Sequence, residues 1–115
     1  MRYGRLHDDD EMPSEGERTI LLATGRGFAV EQILTGRLGA PVEYVQDHDE
    51  WVVVVDGAAV LEIEGAEHAL TRGDWILLPA ALPHRLVRAE PGTSWLAVRG
   101  APRVDAPPSD ANVEK

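Results

Sequence analysis

Apolar and polar positions alternate along this chain in short blocks cut by glycine, proline and aspartate, with a period of two rather than 3.6. Thr19 to Ala23, Phe28 to Leu34 and Val42 to Val45 read as the first strands, separated by Gly25-Arg26-Gly27 and by Gly36, Gly39 and Pro41. The apolar run Val52 to Val55 ends at Asp56-Gly57, which predicts a hairpin because glycine accepts the positive φ of a tight turn. Ala58 to Glu64 alternates, with Ala59, Leu61 and Ile63 on one face and Glu62 and Glu64 on the other. After a turn at Gly65-Ala66 come a short strand at Glu67 to Leu70 and a buried one at Trp75 to Leu78, closed by Pro79. His84 to Arg88 puts His84, Leu86 and Arg88 on one face, and Trp95 to Val98 is the last strand. About eight short strands with frequent turns and no amphipathic helix predict an all-β sandwich or small barrel, jelly roll among the options.

The flanks lack this pattern. Residues 1–18 are polar and acidic and predict a flexible arm, in which Asp8-Asp9-Asp10-Glu11 reads as solvated charge. Residues 101–115, with Pro102, Pro107 and Pro108, predict a disordered tail. At 115 residues the chain suffices for one domain, spanning 19–100. Twenty acidic against eleven basic residues give a net charge of −9, which repels phosphate backbones and anionic lipid, so neither nucleic acid nor membrane is an expected partner. No apolar run approaches the ~20 residues of a membrane helix, and the N-terminus lacks a signal peptide's apolar core. The absence of cysteine excludes thiolate chemistry and fits a reducing compartment. The expectation is a cytoplasmic protein that works through a pocket, and a homodimer, because Trp-rich strands and open sheet edges favour closed pairing.

Two polar clusters lie against apolar strands. In Gln46-Asp47-His48-Asp49-Glu50-Trp51, an extended backbone would point Gln46, His48 and Glu50 to one face. Burying an ionised glutamate costs several kcal/mol or more unless it is paired, hydrogen-bonded or metal-bound. The alternative is a polar rim without chemistry. The second cluster runs from Gly73 to His84 and contains Asp74, Pro79 and Pro83.

In this order the two clusters resemble the paired motifs of the cupin superfamily. Glu50 followed by Gly57 matches the end of the first motif. Gly73, Pro79 and His84 match the second, with Ala81 where glycine is usual and Arg88 where asparagine is usual. The likeness covers Thr19 to Arg99 and is nearest to small single-domain cupins with a glutamine and acidic residues in the first motif. It implies a cupin-type jelly-roll β-barrel. The two family histidines fall at Tyr44 and Gln46, so the implied ligand set is Glu50 and His84, with Gln46 and His48 as further candidates. Asp47 and Asp49 would add negative charge around the mouth. Such donors suit Fe, Mn, Ni, Cu or Zn without choosing among them. The implied function is a metallo-cupin acting on a small organic molecule as dioxygenase, isomerase or lyase, with Glu50 and His84 as catalytic groups. Tyr44 and Arg88 are candidate substrate contacts, Arg88 through its bidentate fork. The alternatives are a non-catalytic metal- or metabolite-binding module, a metal-free pocket in which Glu50 and His84 pair, and a barrel that serves as a dimer scaffold. His68 reads as a surface residue, and Trp51, Trp75 and Trp95 as wall or dimer contact.

Overall fold

The structure, a computed structural model, describes residues 1–102. The tail expected from residue 101 therefore lies, beyond Pro102, outside the described residues. Among the described residues nine strands follow in order: β1 (Glu17–Gly25), β2 (Phe28–Thr35), β3 (Val42–Tyr44), β4 (Glu50–Asp56), β5 (Ala58–Ile63), β6 (Ala66–Thr71), β7 (Trp75–Leu78), β8 (His84–Ala89) and β9 (Thr93–Gly100). They form two antiparallel sheets, one ordered β1-β2-β9-β4-β7 and the other β3-β8-β5-β6. The sheets share one core: Val52, Val54 and Trp95 from the first meet Leu61, Ile63 and Leu86 from the second. Helical structure among the described residues is a single 3-10 turn at Asp9–Glu11, and none of it is long and apolar enough to cross a membrane.

The fold is all-β and consistent with a jelly roll, but the expected closed barrel needs correction. Backbone pairing does not continue around the molecule, since the edge strands β1 and β7 of one sheet do not pair with β3 and β6 of the other. Side chains span part of that gap, as described below.

Alternation decides what faces inward. In β4 the buried positions are Glu50, Val52 and Val54, and in β5 they are Ala59, Leu61 and Ile63. The turn at Asp56-Gly57 is not a hairpin, because it carries the chain from one sheet to the other. Gly57 adopts φ +96°, and a Cβ there would lie 2.5 Å from Thr93 Oγ1, so the crossing needs glycine on two counts. Thr93, fully buried, accepts the Ala58 N–H at 3.3 Å just beyond it. A true hairpin joins β5 to β6, where Glu64 and Gly65 both have positive φ, the pattern of a type I′ turn.

The N-terminal segment is fastened at His7 and again near Gly16. Gln32, buried in β2, accepts the His7 N–H at 2.7 Å and donates to the His7 carbonyl at 2.9 Å. Further on, Gly16 and Arg37 share a backbone hydrogen bond at 2.9 Å, and β1 begins at Glu17, inside the stretch expected to be a flexible arm.

Candidate functional site: a carboxylate-lined cavity between the sheets

A cavity of about 140 Å³ lies between the sheets. Ile33, Val52, Leu61, Leu78, Leu86 and Trp95 make its apolar walls, and Glu17, Glu31, Tyr44, Gln46, Glu50 and His84 its principal polar lining.

Glu50 enters because it continues the inward phase of Val52 and Val54. It is 6% exposed, and among the described residues no donor or cation hydrogen-bonds or ion-pairs with its carboxylate. Arg99 stands opposite it in register, but the guanidinium turns to Glu31 at 3.4 Å. His84 opens β8 directly across from Tyr44, and the two rings stack with centroids 5.5 Å apart. His84 Nδ1 lies 3.1 Å from the Leu82 carbonyl, which can only accept. The Nδ1 proton is therefore directed at that carbonyl, and in the neutral ring Nε2 carries the lone pair.

Two short loops deliver these groups. The Gln46 carbonyl accepts the Ala81 N–H at 2.7 Å, and Asp49 Oδ1 accepts the Ala80 N–H at 2.8 Å. Ala81 pays for this with φ +68°, the left-handed conformation that explains why glycine is usual at that motif position.

Glu17 and Glu31 are lining residues that sequence reasoning missed. The Tyr44 hydroxyl donates to Glu17 Oε1, and the Thr35 hydroxyl donates to Oε2 at 2.8 Å. Trp95 Nε1–H in turn donates to Thr35 Oγ1 at 3.1 Å. This chain joins the edge strand β1 to the opposite edge strand β3 exactly where backbone pairing stops. Burial, then the hydrogen bond to Glu17, then the negative charges of Glu17 and Glu50 hold the Tyr44 hydroxyl well above its ordinary pKa.

Two candidates stand elsewhere. His48 does not line the cavity, because the chain bends at Asp47 and His48 before β4 begins, which breaks the expected alternation from Gln46 to Glu50. Its Nδ1 lies 3.0 Å from Asp47 Oδ1. Arg88 is also turned out, 3.4 Å from Glu67 on the surface. The β5–β8 register shifts between Val60 and Leu61, so Leu86 points in while Arg88, two residues on, does not. Of the three tryptophans only Trp95 reaches the cavity; Trp51 and Trp75 form a tilted pair with centroids 6.0 Å apart.

Two facing sheets around a pocket with Glu50 on one strand and His84 on another have clear counterparts. The sequence profile described as "Cupin domain" matches residues 29–99. The chain belongs to the cupin family. Among solved cupin-like structures, a protein of Ralstonia eutropha JMP134 named "putative mannose-6-phosphate isomerase" is 30% identical, with a TM-score of 0.73 over 87% of this chain and 98% of that one. KdgF from Halomonas sp. is 24% identical, with a TM-score of 0.68 over 84% and 94%. An RmlC-like cupin from Desulfovibrio desulfuricans is 19% identical, with a TM-score of 0.67 over 87% and 96%. The last two speak to the fold alone. No curated protein sequence matches the chain.

Whether this cupin's residues fit a divalent cation turns on the donors. His84 Nε2 and the Glu50 carboxylate are free to coordinate, and Gln46 can add an amide oxygen. Among the described residues, however, no three His, Asp or Glu side chains group closely enough to hold an ion. The set fits a loosely held cation whose sphere water completes, not a centre with three strong protein ligands.

Proposed function

We propose that this cupin binds a small polar organic molecule in the cavity between its sheets, and that Glu50 and His84 act on it by proton transfer. One observation carries the reading: Glu50 is 6% exposed in the cavity lining, and no hydrogen bond or ion pair among the described residues involves its carboxylate. Its oxygens are turned to the cavity, where a ligand can supply the donors that the protein withholds. Glu50 is then the base, and His84 Nε2, held as an acceptor by Leu82, is a second group able to take or relay a proton. Tyr44 is not a ready acid, because its proton is committed to Glu17. These groups support isomerase- or lyase-type chemistry directly.

If a divalent cation (Fe, Mn, Ni, Cu or Zn) is bound, Glu50, His84 and Gln46 would hold it, and it would supply Lewis acidity to a ligand oxygen. The unpartnered carboxylate favours that arrangement too.

The test is a thermal-shift screen of untagged protein against small sugars, amines, acids and divalent ions, with metal content measured beforehand. Ligands found should stabilise the wild type and lose most of that effect in Glu50→Gln and His84→Ala. Ligands that stabilise all three proteins equally would remove the cavity reading. Incubation with each ligand, followed by nuclear magnetic resonance for solvent-derived deuterium at carbon, separates turnover from binding.

A further inference from the structure

The cavity's charge narrows what it accepts. Glu17, Glu31 and Glu50 all line it, and among the described residues no lysine or arginine does. Each carboxylate has a different status. Glu17 is satisfied by Tyr44 and Thr35, and Glu31 is paired with Arg99. Only Glu50 is uncompensated. The other polar cavity groups are His84 Nε2, an acceptor in the neutral ring, and the Gln46 amide, which offers an oxygen acceptor beside its N–H donors. An anionic ligand would meet acceptors and negative charge in a site with walls of low dielectric, where repulsion is strongest. Arg88, the residue suited to grip a phosphate or carboxylate, faces solvent beside Glu67.

We infer that the ligand of this site is a small organic cation, a primary ammonium with a short apolar tail, and not a sugar phosphate or carboxylate. The inference rests on the cavity reading above and specifies its substrate class. An ammonium head carries N–H donors and a positive charge, which the carboxylate lining of this cavity can receive. Tyr44 and Trp95 bring aromatic rings to the same cavity, which favour a cation further. Ile33, Leu61, Leu78 and Leu86 offer the tail an apolar wall. Size agrees: about 140 Å³ is well below the ~300–1,000 Å³ of pockets for drug-sized ligands. A phosphorylated hexose, the kind of substrate named for the Ralstonia protein, would find neither the room nor the counter-charge.

The experiment titrates the purified protein by calorimetry with n-butylammonium, tetramethylammonium, 1-butanol, butyrate and mannose 6-phosphate. The expected order puts n-butylammonium first, tetramethylammonium weaker because it has no N–H to donate, and the two anions without measurable binding. Glu50→Gln should weaken n-butylammonium by on the order of tenfold or more, since a charge-assisted hydrogen bond is lost. His84→Asn, a second variant whose folding is checked by melting, should weaken it as well. Mn(II) should compete with n-butylammonium, because both use the same acceptors. Tighter binding of butyrate or mannose 6-phosphate overturns the inference, as does equal affinity for n-butylammonium and 1-butanol. If 1-butanol or a neutral sugar binds best and still depends on Glu50, the cavity reading stands and the cation inference falls. If no probe and no divalent ion binds, both fall.

Discussion

Glu17 and Glu50 line the same cavity from two strands of one sheet, yet the protein treats them in opposite ways. Glu17 is half-buried and receives two hydroxyl donors, one of them backed by an indole N–H. Glu50 is more deeply buried and receives none. A carboxylate that receives donors strengthens a fold, whereas one that receives none contributes nothing comparable. The difference makes Glu17 the fastening between the sheets and, on the function proposed above, leaves Glu50 to meet the ligand.

Substitution can break this contrast. Glu17→Ala should lower unfolding free energy by about 2–3 kcal/mol in urea titrations, because it strands the Tyr44 and Thr35 hydroxyls and unties β1 from β3. A loss below about 0.5 kcal/mol would mean the fastening is decorative. Tyr44→Phe should cost about 1–2 kcal/mol near neutral pH, one charge-assisted hydrogen bond.

That second variant also carries a pH signature. Burial, the Glu17 hydrogen bond and the two nearby carboxylates raise the folded-state pKa of Tyr44 above its ordinary value of 10.0. In the unfolded chain the phenol ionises first, so the folded state binds more protons there. The stability it lends is full below about pH 10 and is lost as pH rises through the folded-state value. The gap between wild type and Tyr44→Phe should therefore narrow in urea titrations carried from pH 9 towards pH 11. A constant gap would contradict the assignment.

Glu50→Gln should move the other way, raising the stability of the ligand-free protein by about 1 kcal/mol while removing ligand binding, since a buried charge without a partner is replaced by a neutral amide. Destabilisation comparable to that of Glu17→Ala would show that Glu50 has a structural partner after all. The smallest effect belongs to Ala81→Gly. Relief of the left-handed backbone outweighs the added freedom of the unfolded chain by only about 0.5 kcal/mol, visible as a slightly raised melting temperature. Ligand affinity should stay unchanged, because the Ala81 N–H still holds the Gln46 carbonyl.

Much of this was legible in the sequence. The inward phase of Val52 and Val54 carries Glu50 with it, and the motif from Gly73 to His84 brings the imidazole to the start of a strand. Tyr44 and Gln46 lie in the same cavity. Glu17 was not legible, because it follows a polar stretch and its partner Tyr44 is 27 residues away on the other sheet. His48 was misplaced by a bend that contains neither glycine nor proline, being held instead by contacts from Gln46 and Asp49 to the loop at Ala80 and Ala81. Arg88 was misplaced by a bulge, which shifts the phase of a strand without any mark in its composition. The Asp56-Gly57 turn has the residues of a hairpin, and only the strands on either side decide that it crosses between sheets.

The paired indoles of Trp51 and Trp75 have an optical consequence. At 6.0 Å and a tilt of 39°, their electronic transitions couple, so the native protein carries an exciton band in circular dichroism that the unfolded chain lacks. Trp95, buried at the cavity wall with its N–H on Thr35, should shift its emission when a ligand enters the cavity. One spectrum thus reports on the fold and the other on its contents, without any added label.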